Sequence, residues 1–127
     1  MITGLDHVQV AIPVGSESAA REYYGTVLGM LEIPKPPALA QRGGCWFASG
    51  SAVLHLGVEE PFAPARKAHP AFLVSDLDAL AAALEEGGAS VTHSDGERPG
   101  IRRFHTFDPF GNRIEFQQAD GEALASL

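Results

Sequence analysis

The chain repeats one order of secondary-structure signals, and this internal repeat constrains the fold more than any single motif. Patterns typical of a strand, a helix and three further strands fill the first half, and after the proline-bearing stretch "EEPFAPARKA" the same order begins again. We therefore predict one α+β domain over residues 1–127, built from two tandem βαβββ modules. Module one spans about residues 1–60, and module two spans about residues 68–118.

The first module begins with a predicted strand near residues 4–12, where the sequence is β-branched and alternating. A helix follows, with Ser16 or Ser18 as its cap and Gly29 at its end. The stretch "LEIPKPPALAQRGG" predicts a loop with one short strand at its start. The segments "CWFASG" and "SAVLHLGV" predict two strands joined by a tight turn at Gly50 and Ser51.

The second module repeats this order with clearer helix signals. "HPAFLV" predicts a short strand, and "SDLDALAAALEEGGA" predicts a helix that is capped by Ser75 or Asp76 and ends at Gly87 and Gly88. "SVTHS" predicts another short strand, and "IRRFHTF" and "NRIEFQQ" predict two strands joined by the turn "DPFG". The tail "ADGEALASL" is predicted to be surface-exposed or frayed.

Composition and charge favour a protein that handles a small molecule. Hydrophobic residues make up 45% of the chain and charged residues 20%, as is typical of a soluble globular domain. The net charge of −7 and the lack of a Lys/Arg cluster argue against nucleic-acid binding. No apolar run reaches the length of a membrane span, and the N-terminal residues lack the pattern of a signal peptide. The single cysteine excludes a cysteine-built zinc site, and we predict a cytoplasmic protein.

Four polar residues occupy equivalent positions in the two repeats. His7 in the first strand corresponds to His69, 62 residues later, and His55 in a last strand corresponds to Glu115, 60 residues later. Because side chains alternate between the two faces of a strand, His55 and Glu115 point away from their apolar neighbours. If the two sheets curve towards each other, the four groups converge in one cup.

Each of these residues also has an ordinary structural explanation, such as a core histidine, a solvated edge charge or a linker residue. Their joint placement instead predicts a metal site, since three imidazoles and a carboxylate are good ligands for a divalent transition metal. Fe, Mn, Zn and Ni are all compatible with this set of ligands. Positions left open on the metal would let it act as a Lewis acid on substrate oxygens.

Taken together, these features resemble the vicinal oxygen chelate superfamily, which includes glyoxalase I, extradiol ring-cleavage dioxygenases, fosfomycin-resistance enzymes and bleomycin-binding proteins. The resemblance covers about residues 3–118 and is carried by "LDHVQVAI", "YYGTVLGM", "AVLHLGV", "HPAFLV" and "DPFGNRIEF". It implies an open, cupped barrel of mixed β-sheet with helices outside, formed by the paired modules around a metal. It also implies a homodimer.

The resemblance further implies that the metal ligands are His7, His55, His69 and Glu115. Glyoxalase I enzymes usually carry a carboxylate at the position of His55, whereas dioxygenases and fosfomycin-resistance enzymes usually use only the other three positions. His55 fits neither pattern. It is therefore a fourth ligand, a residue that supports the ligands, or a catalytic base.

Four further residues are predicted to line the cup. His105 is the candidate acid or base on the strand that pairs with Glu115, although a surface histidine is equally compatible with the pattern. Arg103 shares its face and is the candidate holder of an anionic substrate oxygen. Gln9 and Trp46 are predicted to bind substrate. Trp46 would share the face of His55 if the turn between their strands has two residues.

These features predict a metal-dependent enzyme, glyoxalase-like or dioxygenase-like, that acts on a small oxygenated metabolite. The metal would stabilise an enolate, catecholate or alkoxide as charge develops. The alternative is a metal-free protein that binds a drug or metabolite, as bleomycin-binding relatives do. The predicted partner is a small-molecule substrate, with no nucleic acid and no membrane.

Overall fold

Eight strands in residues 1–119 form two four-stranded sheets, each with parallel and antiparallel pairs. The computed structural model describes residues 1–119. Its contacts divide the chain into two units. Among the described residues, unit 1 comprises residues 1–65 and 109–112, and unit 2 comprises residues 66–108 and 113–119. The predicted α+β fold class is confirmed.

Unit 1 contains β1 (Val8–Ile12), α1 (Glu17–Ala20), a π-helical segment (Arg21–Val27), β2 (Leu31–Ile33), α2 (Pro37–Ala40), β3 (Cys45–Ser49) and β4 (Ala52–Val58). The strand order is β1-β4-β3-β2, with β1 parallel to β4 and the other pairs antiparallel. Leu54, Leu56 and Phe47 are fully buried on the apolar face of this sheet. The ring of Tyr24, from the π-helical segment, lies 6.2 Å from the ring of Phe47, so the helix covers that face.

Unit 2 contains β5 (Ala71–Leu73), α3 (Leu77–Glu86), β6 (Thr92–His93), β7 (Ile101–Phe107) and β8 (Arg113–Ala119). The strand order is β5-β8-β7-β6, which repeats the order of the first sheet. The core of the unit contains the adjacent rings of Phe104 and Phe116, 5.4 Å apart, with Leu77 and Leu84 from α3. The opposite face of the sheet therefore carries Arg103 and His105 from β7 and Glu115 and Gln117 from β8.

Several local predictions are confirmed. The turn at Gly50 and Ser51 has two residues, because Ser49 lies opposite Ala52 and Trp46 lies opposite His55. The cap of α3 is Asp76, whose carboxylate accepts a hydrogen bond from the N–H of Ala79 at 3.0 Å.

Other local predictions are wrong at the ends of elements. β1 begins at Val8 rather than residue 4, and β5 begins at Ala71, so His7 and His69 precede their strands. The hydroxyl of Ser16 does not cap α1, because it donates to the carbonyl of Pro13 at 2.6 Å. The segment predicted as a loop contains α2, where Pro37 occupies a helix start that needs no N–H donor.

None of the helices in residues 1–119 combines the length and hydropathy that a membrane crossing requires. The predicted tail begins at Ala119, the last residue of β8, and the rest of it lies outside the described residues.

Candidate metal centre

Three side chains with metal-binding atoms meet on the polar face of the second sheet. His105 on β7 lies directly opposite Glu115 on β8, so both side chains point to the same face. His69 reaches this face from the segment before β5. There the N–H of Glu115 donates to the carbonyl of Pro70 at 3.0 Å and holds that segment beside β8. Three segments of unit 2 thus contribute one side chain each.

The ligand atoms of this cluster have the separations expected around one metal ion. Nε2 of His69 and Nε2 of His105 each lie 3.0 Å from Oε1 of Glu115. All three ligand atoms lie within 4.8 Å of one another. Two atoms that bind an ion at about 2.1 Å and at right angles to each other are about 3 Å apart. Within the described part of the chain, no other group of three His, Cys, Asp or Glu side chains meets this condition.

The hydrogen bonds of His69 suit a metal ligand. Its Nδ1 lies 2.7 Å from the carbonyl oxygen of Lys67, which can only accept, so Nδ1 carries a proton. In a neutral imidazole, Nε2 then has a lone pair that faces the carboxylate of Glu115. Two acceptors facing each other repel, so a cation bound by both would stabilise this arrangement. A carbonyl that binds the far nitrogen of a ligand histidine is a recurring feature of metal sites.

Glu115 is ionised although only 4% of it is exposed. Burial alone would raise its pKa, but the contacts of the carboxylate with Gln117 and His69 and the charges of His105 and Arg103 lower the pKa to about 2. The Gln117 amide and the Arg103 guanidinium contact the second oxygen, Oε2. Oε1 is therefore the oxygen that faces the two imidazoles.

In unit 1, His55 is packed between two aromatic rings. β4 lies between β1 and β3, so His7 and Trp46 approach the ring from opposite sides. Their ring centroids lie 3.8 Å and 3.7 Å from that of His55, with interplanar angles of 20° and 1°. Burial, followed by the charge of His7, lowers the pKa of His55, which favours the neutral ring. Stacking explains why a histidine is tolerated in this apolar strand.

The four predicted metal ligands are divided between the two units. His69 and Glu115 lie together in unit 2, whereas His7 and His55 stack on each other in unit 1. Nδ1 of His7 also lies 2.8 Å from a carboxylate oxygen of Asp6. A site that uses all four ligands stays a prediction.

The predicted substrate-binding and catalytic residues have defined neighbours. Gln9 and Trp46 line one groove of unit 1. Arg103 contacts the carboxylates of Glu97 and Glu115, so its charge is already paired within unit 2. Its role as the holder of a substrate anion stays a prediction.

Sequence reasoning assigned His105 a different role and missed one neighbour of the cluster. His105 was expected to act as an acid or base, but its Nε2 lies where a metal ligand would. Gln117, which contacts Glu115, is not among the predicted site residues. It lies two residues after Glu115 on the same strand, and this spacing is the signal that could have identified it.

The fold and the cluster together define a class of protein: tandem βαβββ units with a His–His–Glu group on a polar sheet face. The family model described as the Glyoxalase/Bleomycin resistance protein/Dioxygenase superfamily matches residues 4–116. The chain belongs to this superfamily.

Solved structures agree with this assignment. A protein from Bacillus anthracis assigned to the glyoxalase family is 52% identical to the chain, with a TM-score of 0.88. The match covers 94% of this chain and 98% of that one. None of the curated proteins compared with the chain matches it significantly.

More distant structures share the fold. The fosfomycin resistance protein FosX from Listeria monocytogenes is 13% identical, with a TM-score of 0.74, and the match covers 97% of this chain and 98% of that one. TnmS3, an antibiotic binding protein from Streptomyces sp. CB03234, is 24% identical, with a TM-score of 0.69 and coverage of 94% and 98%. The same architecture therefore occurs in proteins with different functions.

Proposed function

We propose that this chain is a metal-dependent enzyme that acts on a small oxygenated metabolite. His69, His105 and Glu115 would hold a divalent transition metal such as Fe, Mn, Zn or Ni, because imidazole and carboxylate are ligands that these ions accept. When bound, the metal supplies a Lewis acid that stabilises negative charge developing on substrate oxygens. His7 and His55 remain candidate ligands on the basis of the repeat and the family resemblance.

The observation that carries this proposal is the position of Nε2 of His69. It faces a carboxylate oxygen at 3.0 Å while Nδ1 of the same ring is committed to a backbone carbonyl. A divalent cation bound by both the ring and the carboxylate would satisfy both groups.

The surrounding residues have defined roles in this proposal. Gln117 and Arg103 hold the Glu115 carboxylate ionised and in one orientation. Burial, and after it the charge of Arg113, lowers the pKa of His105, which favours the neutral imidazole that a metal requires. If Nε2 of His105 binds the metal, that atom cannot also transfer a proton, so the two proposed roles of His105 exclude each other.

Metal content tests the proposal. Untagged protein purified without added metal is analysed for elements, beside His69→Ala and Glu115→Gln variants. We expect about one equivalent of a transition metal per wild-type chain and at least a tenfold loss of metal affinity in both variants, because each removes a direct ligand. His93→Ala is the matched control, since His93 is an exposed histidine of unit 2 outside the cluster.

Wild-type protein that takes up none of the four metals on reconstitution would contradict the enzyme proposal. That result would favour the alternative, a metal-free protein that binds a drug or metabolite. If His93→Ala lost as much metal as His69→Ala and Glu115→Gln, that result would also contradict the proposed ligands.

We also propose a cytoplasmic protein that forms a homodimer and has a small-molecule substrate as its partner. The superfamily resemblance supports the dimer, and the sequence composition supports the location. Sedimentation velocity of the purified chain distinguishes a dimer from a monomer.

A further inference from the structure

A groove in unit 1 carries two cationic side chains that have no ion-pair partner among residues 1–119. It has a volume of about 200 Å³, and its lining includes Gln9, Lys35, Leu39, Arg42, Trp46 and Val58. Within residues 1–119, neither Lys35 nor Arg42 forms a salt bridge. This contrasts with Arg103, which contacts two carboxylates.

The wall that carries the two cations is held in place by backbone constraints. It belongs to the connection between β2 and β3, where the chain turns into β3 through Gly43 and Gly44, with φ of +74° and +81°. A side chain at Gly44 would place its Cβ 2.0 Å from the carbonyl oxygen of Leu56, so only glycine fits. The ammonium group of Lys35 donates to the carbonyl of Gly43 and ties the two ends of the connection together.

The sheet side of the groove is also ordered. The ring of Trp46 is stacked on His55, which fixes its orientation. The amide of Gln9 lies over Gly57, where an added Cβ would come within 3.0 Å of Nε2 of Gln9. The missing side chain at Gly57 therefore leaves room for a hydrogen-bonding amide beside an aromatic ring.

The local charge is opposite to that of the whole chain, whose net charge is −7. Glu17 is an acidic group beside the groove. Its Oε2 accepts a hydrogen bond from the N–H of Gly44 at 3.0 Å. That hydrogen bond is the main cause of the lowered pKa of Glu17, and the charge of Lys35 makes the smallest contribution to it. Glu17 is thus committed to the backbone, and the Arg42 guanidinium and the remaining N–H groups of Lys35 can donate to a ligand.

We propose that this groove binds a small organic anion. A carboxylate or phosphonate group contacts Lys35 and Arg42, and the apolar part of the molecule lies against Trp46, Leu39 and Val58. The volume is below the roughly 300–1,000 Å³ of pockets for drug-sized ligands, so the occupant is a small metabolite. This inference names the substrate class of the proposed enzyme and rests on that proposed function.

Trp46 is the single tryptophan of the chain, so its fluorescence reports directly on the groove. The full-length protein is treated with a chelator and titrated with benzoate, phenylphosphonate and the neutral analogue benzamide. We expect saturable quenching by an anion at a Kd about tenfold or more below that of benzamide, because charge-assisted hydrogen bonds are the stronger ones. Whichever of benzoate and phenylphosphonate binds more tightly identifies the preferred anionic group.

Arg42→Gln is the deciding variant, because Arg42 is exposed and its replacement leaves the fold intact. We expect it to raise the Kd for the anion about tenfold. Lys35→Gln should act in the same direction. Arg21→Gln removes the same charge from unit 1, but Arg21 pairs with Glu32 and does not line the groove, so its Kd should match that of the wild type.

Equal affinity for benzoate and benzamide would overturn the inference. Equally weakened anion binding in Arg42→Gln and Arg21→Gln would also overturn the inference, because the affinity for the anion would then depend only on the overall charge of the protein. The titration needs no metal, so intact anion binding together with absent metal would overturn the proposed enzyme function but not the groove.

Discussion

His55 stands in an apolar strand because its ring is packed like that of a core aromatic residue. Only 8% of the residue is exposed, and rings lie on both of its faces. This packing does not depend on a metal, so the structural and chemical roles of the residue can be separated by substitution.

In metal-free protein, His55→Ala should lower the free energy of unfolding by about 1–3 kcal/mol, because two ring contacts worth about 0.5–1.5 kcal/mol each are lost. His55→Phe keeps a ring in the stack and should stay within about 1 kcal/mol of the wild type. Urea denaturation in the presence of a chelator measures both values. A His55→Phe variant as unstable as His55→Ala would contradict the stacking account.

Glu17 gives a pH-dependent contribution to stability. Its pKa lies below the ordinary value of 4.5, mainly because of the hydrogen bond from Gly44. A carboxylate with a lowered folded-state pKa stabilises the fold above its unfolded-state pKa, and this stability is lost as the pH falls through the folded-state value. The contribution therefore disappears in acid.

Glu17→Gln should destabilise the protein at pH 7 by less than about 1 kcal/mol, since the carboxylate is partly exposed to solvent. The deficit should shrink as the pH is lowered below 4. Thermal denaturation at pH 7 and at pH 3 measures the change, with Glu22→Gln on the neighbouring helical segment as the control. An equal loss of stability in Glu17→Gln at pH 7 and at pH 3 would show that the ionised carboxylate does not stabilise the fold.

The sequence predicted part of the candidate site. His69 and Glu115 follow from the repeat, because equivalent positions in two modules can be counted. The place of His105 depends on the pairing of β7 with β8, and the turn "DPFG" leaves that register open. Arg42 could not be predicted, because a single exposed arginine in a loop carries no pattern.

At the scale of elements, every predicted strand and helix is present in the predicted order, and the errors are the missed helix α2 and the ends of elements. β5 has only three residues, although the apolar run "HPAFLV" is longer. The short helix α2 was missed because its four residues are too few to show a helical period. Hydrophobic pattern identifies an element, whereas backbone hydrogen bonds and turns decide where it stops.

The entry into β3 gives a test at this scale. Gly44→Ala should destabilise the protein by more than about 3 kcal/mol or prevent folding, because its Cβ would collide with the carbonyl of Leu56. Gly29→Ala is the matched control, since Gly29 also has a positive φ of +74° but no atom within 4 Å of an added Cβ. Gly29→Ala should lower the free energy of unfolding by about 1–2 kcal/mol. Similar losses in the two variants, measured by urea denaturation, would contradict the close approach at Gly44.

At the scale of the whole chain, two units with the same strand order carry different chemistry. The polar face of the first sheet has a stack of aromatic rings and a basic groove, and that of the second has two imidazoles and a buried carboxylate. We infer that the repeat supplies the scaffold twice and that the residues on each polar face differ in function. In unit 1 the distinguishing feature is the groove that we propose for anion binding, and in unit 2 it is the cluster of candidate metal ligands.

The most direct test of the metal centre is anomalous diffraction at the zinc absorption edge from crystals of the chain grown with Zn(II). The account predicts one strong peak per chain, about 2.0–2.2 Å from Nε2 of His69, Nε2 of His105 and Oε1 of Glu115. The same map would show whether His7 or His55 is also a ligand. A map with no peak at this cluster, or with peaks only at other side chains, would contradict the account.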